Sequence, residues 1–179
     1  MRPDMIEYRQ DRYAGCAMKK QEKTNVMRLL EQNGIDYISH DYSESGVVSG
    51  PEAAAAMGQD PDMVFKTLVT EGRSGQHYVF VVPVERELDL KKAASAVGEK
   101  SIAMLKAKEL LPLTGYIHGG CSPIGMKKLF PTVVDETAIL YDTICFSAGK
   151  IGFMVEIDPQ ALGKLVPHTF QDISTAGDS

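Results

Sequence analysis

The segment from Gly115 to Gly125 constrains this chain more than any other stretch. Its eleven residues, GYIHGGCSPIG, include four glycines. Glycine is used where the backbone needs a positive φ, or where another group must approach the main chain closely. The adjacent pair Gly119 and Gly120 can direct successive N–H groups toward one point, an arrangement that binds an anion or a developing oxyanion. A tight structural connection between two parts of a sheet would explain the same residues.

Apolar periodicity divides the rest of the chain into short strands and short helices. Strands are predicted at residues 35–42, 64–70, 77–84, 102–105, 132–135, 138–141, 144–147 and 152–157. Helices are predicted at 24–32, 52–57, 88–97, 106–111 and 159–165, with Pro112 ending the fourth and a polar tail after the fifth. The strands at 64–70 and 77–84 form a predicted hairpin. Together these elements indicate a mixed α/β fold whose late strands pair antiparallel in a sheet that curls toward a barrel.

The length of 179 residues corresponds to about one domain. Residues 21–174 contain the periodic segments and are predicted to form it. Residues 1–20 show no clear periodicity, so they are predicted to be a poorly packed extension or the product of a start upstream of Met18. Residues 175–179 are predicted to be a tail.

Composition excludes several classes of protein. No apolar run approaches the roughly 18 residues that a membrane-spanning helix needs. The three cysteines, Cys16, Cys121 and Cys145, have no CxxC spacing, and an odd number does not build a disulfide framework. A reducing cytoplasm is therefore the expected compartment. The four histidines are scattered without metal-ligand spacing, and we expect neither a metal nor another cofactor.

The charge is distributed unevenly along the chain. The whole chain carries −5, whereas residues 91–128 contain seven lysines and two glutamates and so carry +5. A basic surface on an otherwise acidic protein can contact a phosphate backbone. A solvated lysine-rich face is the simpler interpretation. The stretch has no arginine and one aromatic residue, Tyr116, so it lacks the composition of a base-stacking surface.

Lys66 is unusual because it lies between apolar residues of a predicted strand, in the sequence VFKTLV. Alternation places it on the same face as Val64 and Leu68. If that face is partly buried, the ammonium group must find an anion or lose its proton. A lysine that protects an exposed edge strand from aggregation is an equally good explanation.

Two further segments offer polar groups of less certain role. Residues 146–152, FSAGKIG, surround Lys150 with small residues, which is typical of a hairpin turn but would also let Ser147 line a pocket. Cys121 lies three residues after His118, yet proximity in a glycine-rich loop does not establish the base that a nucleophilic cysteine needs. A structural role is therefore favoured for Cys121.

Three motifs in this order resemble the YbaK/EbsC-type aminoacyl-tRNA deacylases, which are free-standing relatives of the editing domain inserted in bacterial prolyl-tRNA synthetases. The motifs are FKTL at residues 65–68, GYxxGGxSPxG at 115–125 and SxGKxG at 147–152. The resemblance extends from about residue 23 to residue 173. It departs from the family at Ser49, where the family often has an aromatic residue, and in a shorter preceding loop.

The resemblance implies a mixed, mostly antiparallel sheet, partly closed into a barrel and flanked by short helices. It also implies hydrolysis of the ester that joins a wrong amino acid to the 3′ end of tRNA, with Cys-tRNA(Pro) as typical substrate and activity on Cys-tRNA(Cys). The catalytic positions would be Lys66 and the backbone at Gly119 and Gly120. Substrate-binding positions would be Tyr42, Thr67, Ser122 and Ser147. In this family the substrate thiol can attack its own carbonyl, so no protein nucleophile is needed.

The expected partners are the acceptor end of an aminoacyl-tRNA and prolyl-tRNA synthetase, which would supply selectivity among tRNAs. Neither a membrane nor DNA is expected as a partner. Two alternatives remain open at this stage. One is an editing deacylase for another amino acid, such as Ala-tRNA(Pro), and the other is a non-catalytic nucleotide-binding or regulatory module.

Overall fold

The computed structural model describes residues 22–48 and 50–175. The predicted extension at residues 1–20, the departure at Ser49 and the last four residues of the predicted tail lie outside the described residues. Among the residues described, no helix is both long enough and apolar enough to cross a membrane.

The described residues contain eight strands, which form two sheets. The strands are β1 (Ile38–Asp41), β2 (Phe65–Gly72), β3 (His77–Pro83), β4 (Ile102–Met104), β5 (Thr132–Asp135), β6 (Ile144–Ser147), β7 (Phe153–Ile157) and β8 (His168–Gln171). The small sheet has the order β1-β7-β6, and the large sheet has the order β4-β2-β3-β5-β8. All neighbours are antiparallel except β5, which runs parallel to both β3 and β8. The mixed, mostly antiparallel architecture is thus confirmed.

Four short α-helices accompany the sheets in the part of the chain that the structure describes. They are α1 (Asn25–Gln32), α2 (Pro51–Met57), α3 (Leu90–Val97) and α4 (Ala107–Thr114). Local chemistry fixes their ends. The Thr24 hydroxyl accepts the N–H of Met27 at the start of α1, and the Asp89 carboxylate accepts two N–H groups at the start of α3. Pro51 occupies the first position of α2, where a missing N–H is tolerated.

The core is arranged in layers. Alternate residues of β2 and β3, including Phe65 and Val81, pack against Phe146 of β6, Val155 of β7 and one face of α1. The opposite face of the large sheet packs on α3, and the opposite face of the small sheet packs on α2. Each large apolar side chain buried in this way contributes about 1.5–3 kcal/mol.

The two sheets meet at one point, and that point defines the site. A single parallel bridge joins Val64, just before β2, to Cys145 on β6. Beyond this bridge, the described residues show no further pairing between β2 and β6, so the predicted barrel stays open between these two strands. On its other end β2 pairs with β4 only from Thr70 to Gly72. Between these two contacts, from Lys66 to Val69, no strand among the described residues pairs with this edge of β2.

Three details differ from the sequence-based expectations. Residues 138–141 form no strand, because the Asp135 carboxylate accepts the N–H and hydroxyl of Thr137 and starts the 3-10 helix Glu136–Leu140. Pro112 lies inside α4 rather than ending it, since the helix is so short that the proline removes only one internal hydrogen bond. The polar segment predicted to follow the helix at 159–165 instead forms β8, and Ile173 beyond β8 is fully buried.

Candidate functional site

A cavity of about 570 Å³ occupies the opening between β2 and β6. The unpaired edge of β2 forms one wall, Ser147 and Met154 form the facing wall, and the start of α4 closes one end. The glycine-rich loop, which we define as residues 115–125, contributes His118, Gly119 and Cys121. Three segments that are far apart in sequence, each singled out by its residue pattern, therefore border one space.

Lys66 reaches the mouth of this cavity from β2. Its ammonium nitrogen lies 3.4 Å from a carboxylate oxygen of Glu87, and this is its one ion pair among the described residues. The side chain of Lys66 is 26% exposed, whereas that of Glu87 is 81% exposed. Such a long contact to a solvated carboxylate is weak, because water competes for both charges. The ammonium group is thus positioned at the cavity and only loosely held.

The main chain of β2 directs hydrogen-bonding groups into the cavity. Val64 and Gly72 bond to residues at the two ends of β3, so alternation turns the N–H and C=O groups of Thr67 toward the opposite edge. Val69 shows this direction, since its carbonyl accepts the N–H of Leu105 on that side. Phe65 lies next to the bridge between Val64 and Cys145, whereas no strand among the described residues pairs with Thr67 on that side, so the backbone groups of Thr67 are available to a ligand.

Thr67 also offers a side-chain hydroxyl. Among the described residues, two buried side-chain oxygens lack a hydrogen-bond partner, Thr67 Oγ1 and Ser174 Oγ. Thr67 lines the cavity and Ser174 does not. A buried hydroxyl without a partner is destabilising by about 1–3 kcal/mol. At Thr67 a polar ligand in the cavity would remove that penalty.

The glycine-rich loop is held close to its neighbours, and this explains two of its glycines. Gly119 has φ +86°, and a Cβ there would lie 2.7 Å from Cγ1 of Val48. Gly120 packs on the turn between β6 and β7, where a Cβ would lie 3.2 Å from the Ile151 nitrogen. Tyr116 ties the loop to itself by donating its hydroxyl to the Ile124 carbonyl. The loop therefore has little freedom to accept larger residues at either glycine.

The predicted oxyanion pair needs one correction. The Gly120 N–H donates to the Ile117 carbonyl at 3.0 Å, so it is already engaged within the loop. For the N–H groups of Gly119 and Cys121, no acceptor is found among residues 22–48 and 50–175. Gly119 and Cys121, both of which line the cavity, are thus the loop residues whose N–H groups remain available.

The other predicted binding residues divide into two groups. Ser147 lines the cavity, and its oxygen accepts the Gly149 N–H, which leaves the hydroxyl proton to donate elsewhere. Tyr42 and Ser122 are buried and do not line it. Tyr42 packs behind the wall in one cluster with Met154, and burial raises its pKa. Ser122 accepts the Ile124 N–H and so shapes the loop.

Cys121 and His118 both line the cavity, yet they do not form a nucleophile and base. Burial raises the pKa of the Cys121 thiol to about 12, and no neighbouring positive charge opposes this. No hydrogen bond joins the thiol to His118 in the described part of the chain. The thiol is therefore protonated at neutral pH, and a protonated thiol is a weak nucleophile because only the thiolate attacks readily.

Sequence reasoning did not identify several cavity residues. Glu87 faces Lys66 across a separation of 21 residues. Leu110 and Met154 supply apolar wall, and they resemble ordinary core positions in the sequence. Of the seven lysines at residues 91–128, Lys106 and Lys108 lie on either side of the cavity-lining residue Ala107 at the start of α4, whereas Lys92 is bound to Asp172. The lysines of the basic stretch therefore do not all have the same surroundings.

Comparison with known proteins places this cavity in a family. The model for the aminoacyl-tRNA editing domain matches residues 44–165, which include β2, the glycine-rich loop and β6. The chain belongs to this family. Its match confirms the resemblance noted from the three motifs. Domains of this family act on aminoacyl-tRNA.

Three relatives support the assignment. Over 158 residues the chain is 45% identical to EbsC of Enterococcus faecalis, described as a candidate Cys-tRNA(Pro)/Cys-tRNA(Cys) deacylase, covering 88% of this chain and 96% of EbsC. It is 33% identical over 78 residues to a proline–tRNA ligase of Thermosipho africanus, covering 44% of this chain and 13% of the ligase. A crystal structure of a candidate trans-editing enzyme for prolyl-tRNA synthetase superposes with a TM-score of 0.73 at 25% identity, covering 87% of this chain and all of the other.

Proposed function

We propose that this editing domain removes cysteine from Cys-tRNA(Pro), and also from Cys-tRNA(Cys), at the cavity between β2 and β6. The observation that carries the proposal is the convergence of Lys66, Gly119 and Ser147 on one cavity. The similarity to EbsC along nearly the whole chain supports the choice of amino acid.

The carbonyl oxygen of the ester would be held by the available N–H groups of Gly119 and Cys121. These donors belong to a loop that packing already holds in place, so they need not reorganise as negative charge develops on the oxygen. Loss of one donor of this kind typically removes about 3 kcal/mol of transition-state stabilisation.

Lys66 would bind the terminal ribose and phosphate of the tRNA. Its ammonium group is a compact positive charge at the mouth of the cavity. The weak contact with Glu87 keeps the side chain extended in the free protein, and the tRNA phosphate would replace that carboxylate. Glu87 therefore acts as a temporary partner in this proposal.

The aminoacyl group would lie deeper in the cavity. The backbone carbonyl of Thr67 would accept a hydrogen bond from the α-ammonium group, and the hydroxyls of Thr67 and Ser147 would complete the polar contacts. Phe65, Val69 and Met154 offer an apolar surface to a small side chain such as that of cysteine. Tyr42 and Ser122 would act indirectly, by shaping the wall and the loop.

The chemistry would use the thiol of the substrate. Its sulfur bonds to the carbonyl carbon, the ester C–O bond breaks, and the thiol proton passes to the departing ribose oxygen. Water then opens the resulting cyclic thioester to free cysteine. The high pKa of the Cys121 thiol supports this route, because the protein itself offers no activated sulfur at the cavity.

A panel of mischarged tRNAs tests the proposal. Cys-, Ser-, Ala- and Pro-tRNA(Pro) are incubated with the protein, and the remaining ester is measured over time. We expect rapid loss of Cys-tRNA(Pro) alone, because the serine hydroxyl is a much weaker nucleophile of similar size. Faster loss of Ala-tRNA(Pro) would support the alternative substrate, and equal loss of the serine and cysteine esters would contradict attack by the substrate thiol. Binding without any cleavage would leave only a non-catalytic module.

Contacts to the acceptor stem are proposed for Lys106 and Lys108, which are exposed and flank the cavity-lining residues of α4. Replacing both by Gln should reduce the slope of log kcat/KM against log salt concentration by about 1 to 2. The matched control is Lys91→Gln with Lys100→Gln, which removes two exposed lysines beside α3. Equal slopes for the two double variants would contradict the placement.

Prolyl-tRNA synthetase is proposed as the partner that supplies selectivity for tRNA(Pro). Lysine contacts to phosphate carry little sequence information, so the domain alone would not separate tRNA(Pro) from tRNA(Cys). Adding the synthetase to the assay should increase kcat/KM for Cys-tRNA(Pro) more than for Cys-tRNA(Cys). An unchanged ratio would contradict the partnership.

A further inference from the structure

A second cluster of reactive side chains lies on the small sheet, outside the cavity. It contains His40 on β1, Cys145 on β6 and Glu156 on β7. Glu156 pairs with both Cys145 and Ile38 in the sheet register, so the side chains of three adjacent strands meet on one face. The histidine and the acid are more than 100 residues apart, which is why no ligand spacing is visible in the sequence.

The cluster is compact and mostly buried. His40 Nε2 lies 3.0 Å from Glu156 Oε1, and Cys145 Sγ lies 3.6 Å from the same oxygen. One ligand atom from each residue lies within 4.8 Å of the others. Cys145 is fully buried, whereas the side chains of His40 and Glu156 retain 13% and 10% exposure. An ion could therefore enter from the side of His40 and Glu156.

We propose that His40, Cys145 and Glu156 bind a divalent metal ion of the zinc class. Imidazole nitrogen, thiolate sulfur and carboxylate oxygen are the three donor types that Zn²⁺ uses in proteins. A tetrahedral ion with these donors needs separations of about 3.3–3.6 Å between ligand atoms, as the usual metal–ligand distances require. The distances to Glu156 Oε1 approach these values, and the ligand atoms of His40 and Cys145, which lie within 4.8 Å of each other, would have to move closer together.

Charge and orientation also suit such an ion. Thr143 donates its hydroxyl to the other Glu156 oxygen at 3.0 Å and so orients the carboxylate as an outer-shell partner would. Binding would expel the Cys145 proton, and the ion with thiolate and carboxylate would then be electrically neutral in its buried surroundings.

The site would clamp the wall of the cavity. Cys145 precedes Ser147 by two residues on β6, and Glu156 follows Met154 by two residues on β7. Ser147 and Met154 both line the cavity. A metal ion bound to His40, Cys145 and Glu156 would join β1, β6 and β7 at positions two residues away from Ser147 and Met154. It would hold this wall in place without touching the substrate.

Cobalt substitution tests the proposal without using tRNA, so its result is independent of the deacylase assay. The protein used is the full chain with Cys16→Ala and Cys121→Ala, which leaves Cys145 as its only cysteine. Titration with Co²⁺ under reducing, oxygen-free conditions should give a thiolate-to-cobalt charge-transfer band that saturates at one equivalent. Added Zn²⁺ should abolish the band. Absence of the band would overturn the proposal.

Variants of the ligands complete the test. Cys145→Ser retains an O–H donor beside Glu156 and should remove the band, whereas persistence of the band would overturn the assignment. His40→Gln, at a partly exposed position, should weaken Co²⁺ binding at least tenfold while circular dichroism stays unchanged. Zn²⁺ should raise the thermal unfolding midpoint of the protein that carries Cys16→Ala and Cys121→Ala. It should not raise the midpoint of the same protein with His40→Gln added. Equal increases in both would also contradict the site.

Discussion

The cavity and the C-terminal seam use the same kinds of residue in opposite ways. We define the C-terminal seam as α3 together with Asp172, Ile173 and Ser174. In the seam, the Lys92 ammonium group contacts both carboxylate oxygens of Asp172 at 3.0 and 2.9 Å and the Ser174 carbonyl at 3.2 Å. At the cavity, Lys66 has a single contact of 3.4 Å to a solvated carboxylate.

The backbone shows the same contrast. The Asp89 N–H donates to the Ile173 carbonyl, and the Ile173 N–H donates to Asp135, so the seam uses its polar groups to hold the chain together. At the cavity, the edge of β2 and the N–H groups of Gly119 and Cys121 are left available. We infer that polar groups at the cavity are reserved for a ligand, and each pair of variants below tests that inference.

The largest difference is expected between the two lysines. Lys66→Ala should lower kcat/KM on Cys-tRNA(Pro) at least 100-fold, since it removes the charge that is proposed to contact the substrate. Lys92→Ala should leave kcat/KM within twofold and lower the midpoint of thermal unfolding slightly. Deacylation rates and thermal melts of both proteins measure this. Similar rates for the two variants would remove Lys66 from the site.

The second comparison uses two glycines with positive φ. Gly119→Ala should lower kcat/KM about 10- to 100-fold, because the new Cβ overlaps Val48 and displaces the N–H that faces the carbonyl. Gly98, at the end of α3, has φ +73° with nothing within 4 Å of a Cβ, so Gly98→Ala introduces backbone strain alone. It should reduce stability by about 1 kcal/mol and leave activity unchanged. Equal activity of the two variants would contradict the role of Gly119.

The two unpartnered hydroxyls give a smaller effect. Thr67→Val and Ser174→Ala each remove a buried oxygen without a partner, so both should leave stability unchanged or raise it by about 1 kcal/mol. Only Thr67→Val should raise KM, by about three- to tenfold, because its hydroxyl lies at the cavity where the substrate is proposed to bind. Denaturant unfolding and steady-state kinetics separate the two quantities. A loss of stability in Thr67→Val with KM unchanged would show that the hydroxyl serves the fold.

The smallest effect is expected at Cys121. Cys121→Ala should keep kcat/KM within twofold, since its proposed contribution is a backbone N–H. Because the thiol pKa is about 12, the thiol stays protonated from pH 6 to 9 and should add no inflection to the rate of the unmodified protein in that range. Loss of activity in Cys121→Ala, or an inflection that the substitution removes, would make Cys121 the nucleophile.

Local anomalies in the sequence identified much of the site. Lys66 in an apolar strand, the paired glycines and the small residues around Ser147 each break an ordinary pattern, and all three reach the cavity. Their convergence came from the family resemblance, since spacing alone does not bring β2 next to β6.

Features that depend on long-range register were not predictable. The cluster of His40, Cys145 and Glu156 requires the pairing of β1, β7 and β6, which no local pattern reveals. The strand β8 was missed because most of its residues are only half-buried beside β5 and lack an apolar alternation. Residues 138–141 have an apolar pattern typical of a strand, but the side-chain cap from Asp135 starts the 3-10 helix Glu136–Leu140 there instead.

The most direct test of the central claim is a crystal structure with an analogue of the charged tRNA end. The analogue is a cysteinyl-adenosine in which an amide replaces the labile 3′ ester. We predict that the carbonyl oxygen of the analogue lies within hydrogen-bond distance of the Gly119 N–H. Its ribose should lie beside Lys66, and its α-ammonium group should lie at the Thr67 carbonyl. An analogue bound outside the opening between β2 and β6, or one whose carbonyl faces away from the glycine-rich loop, would contradict it.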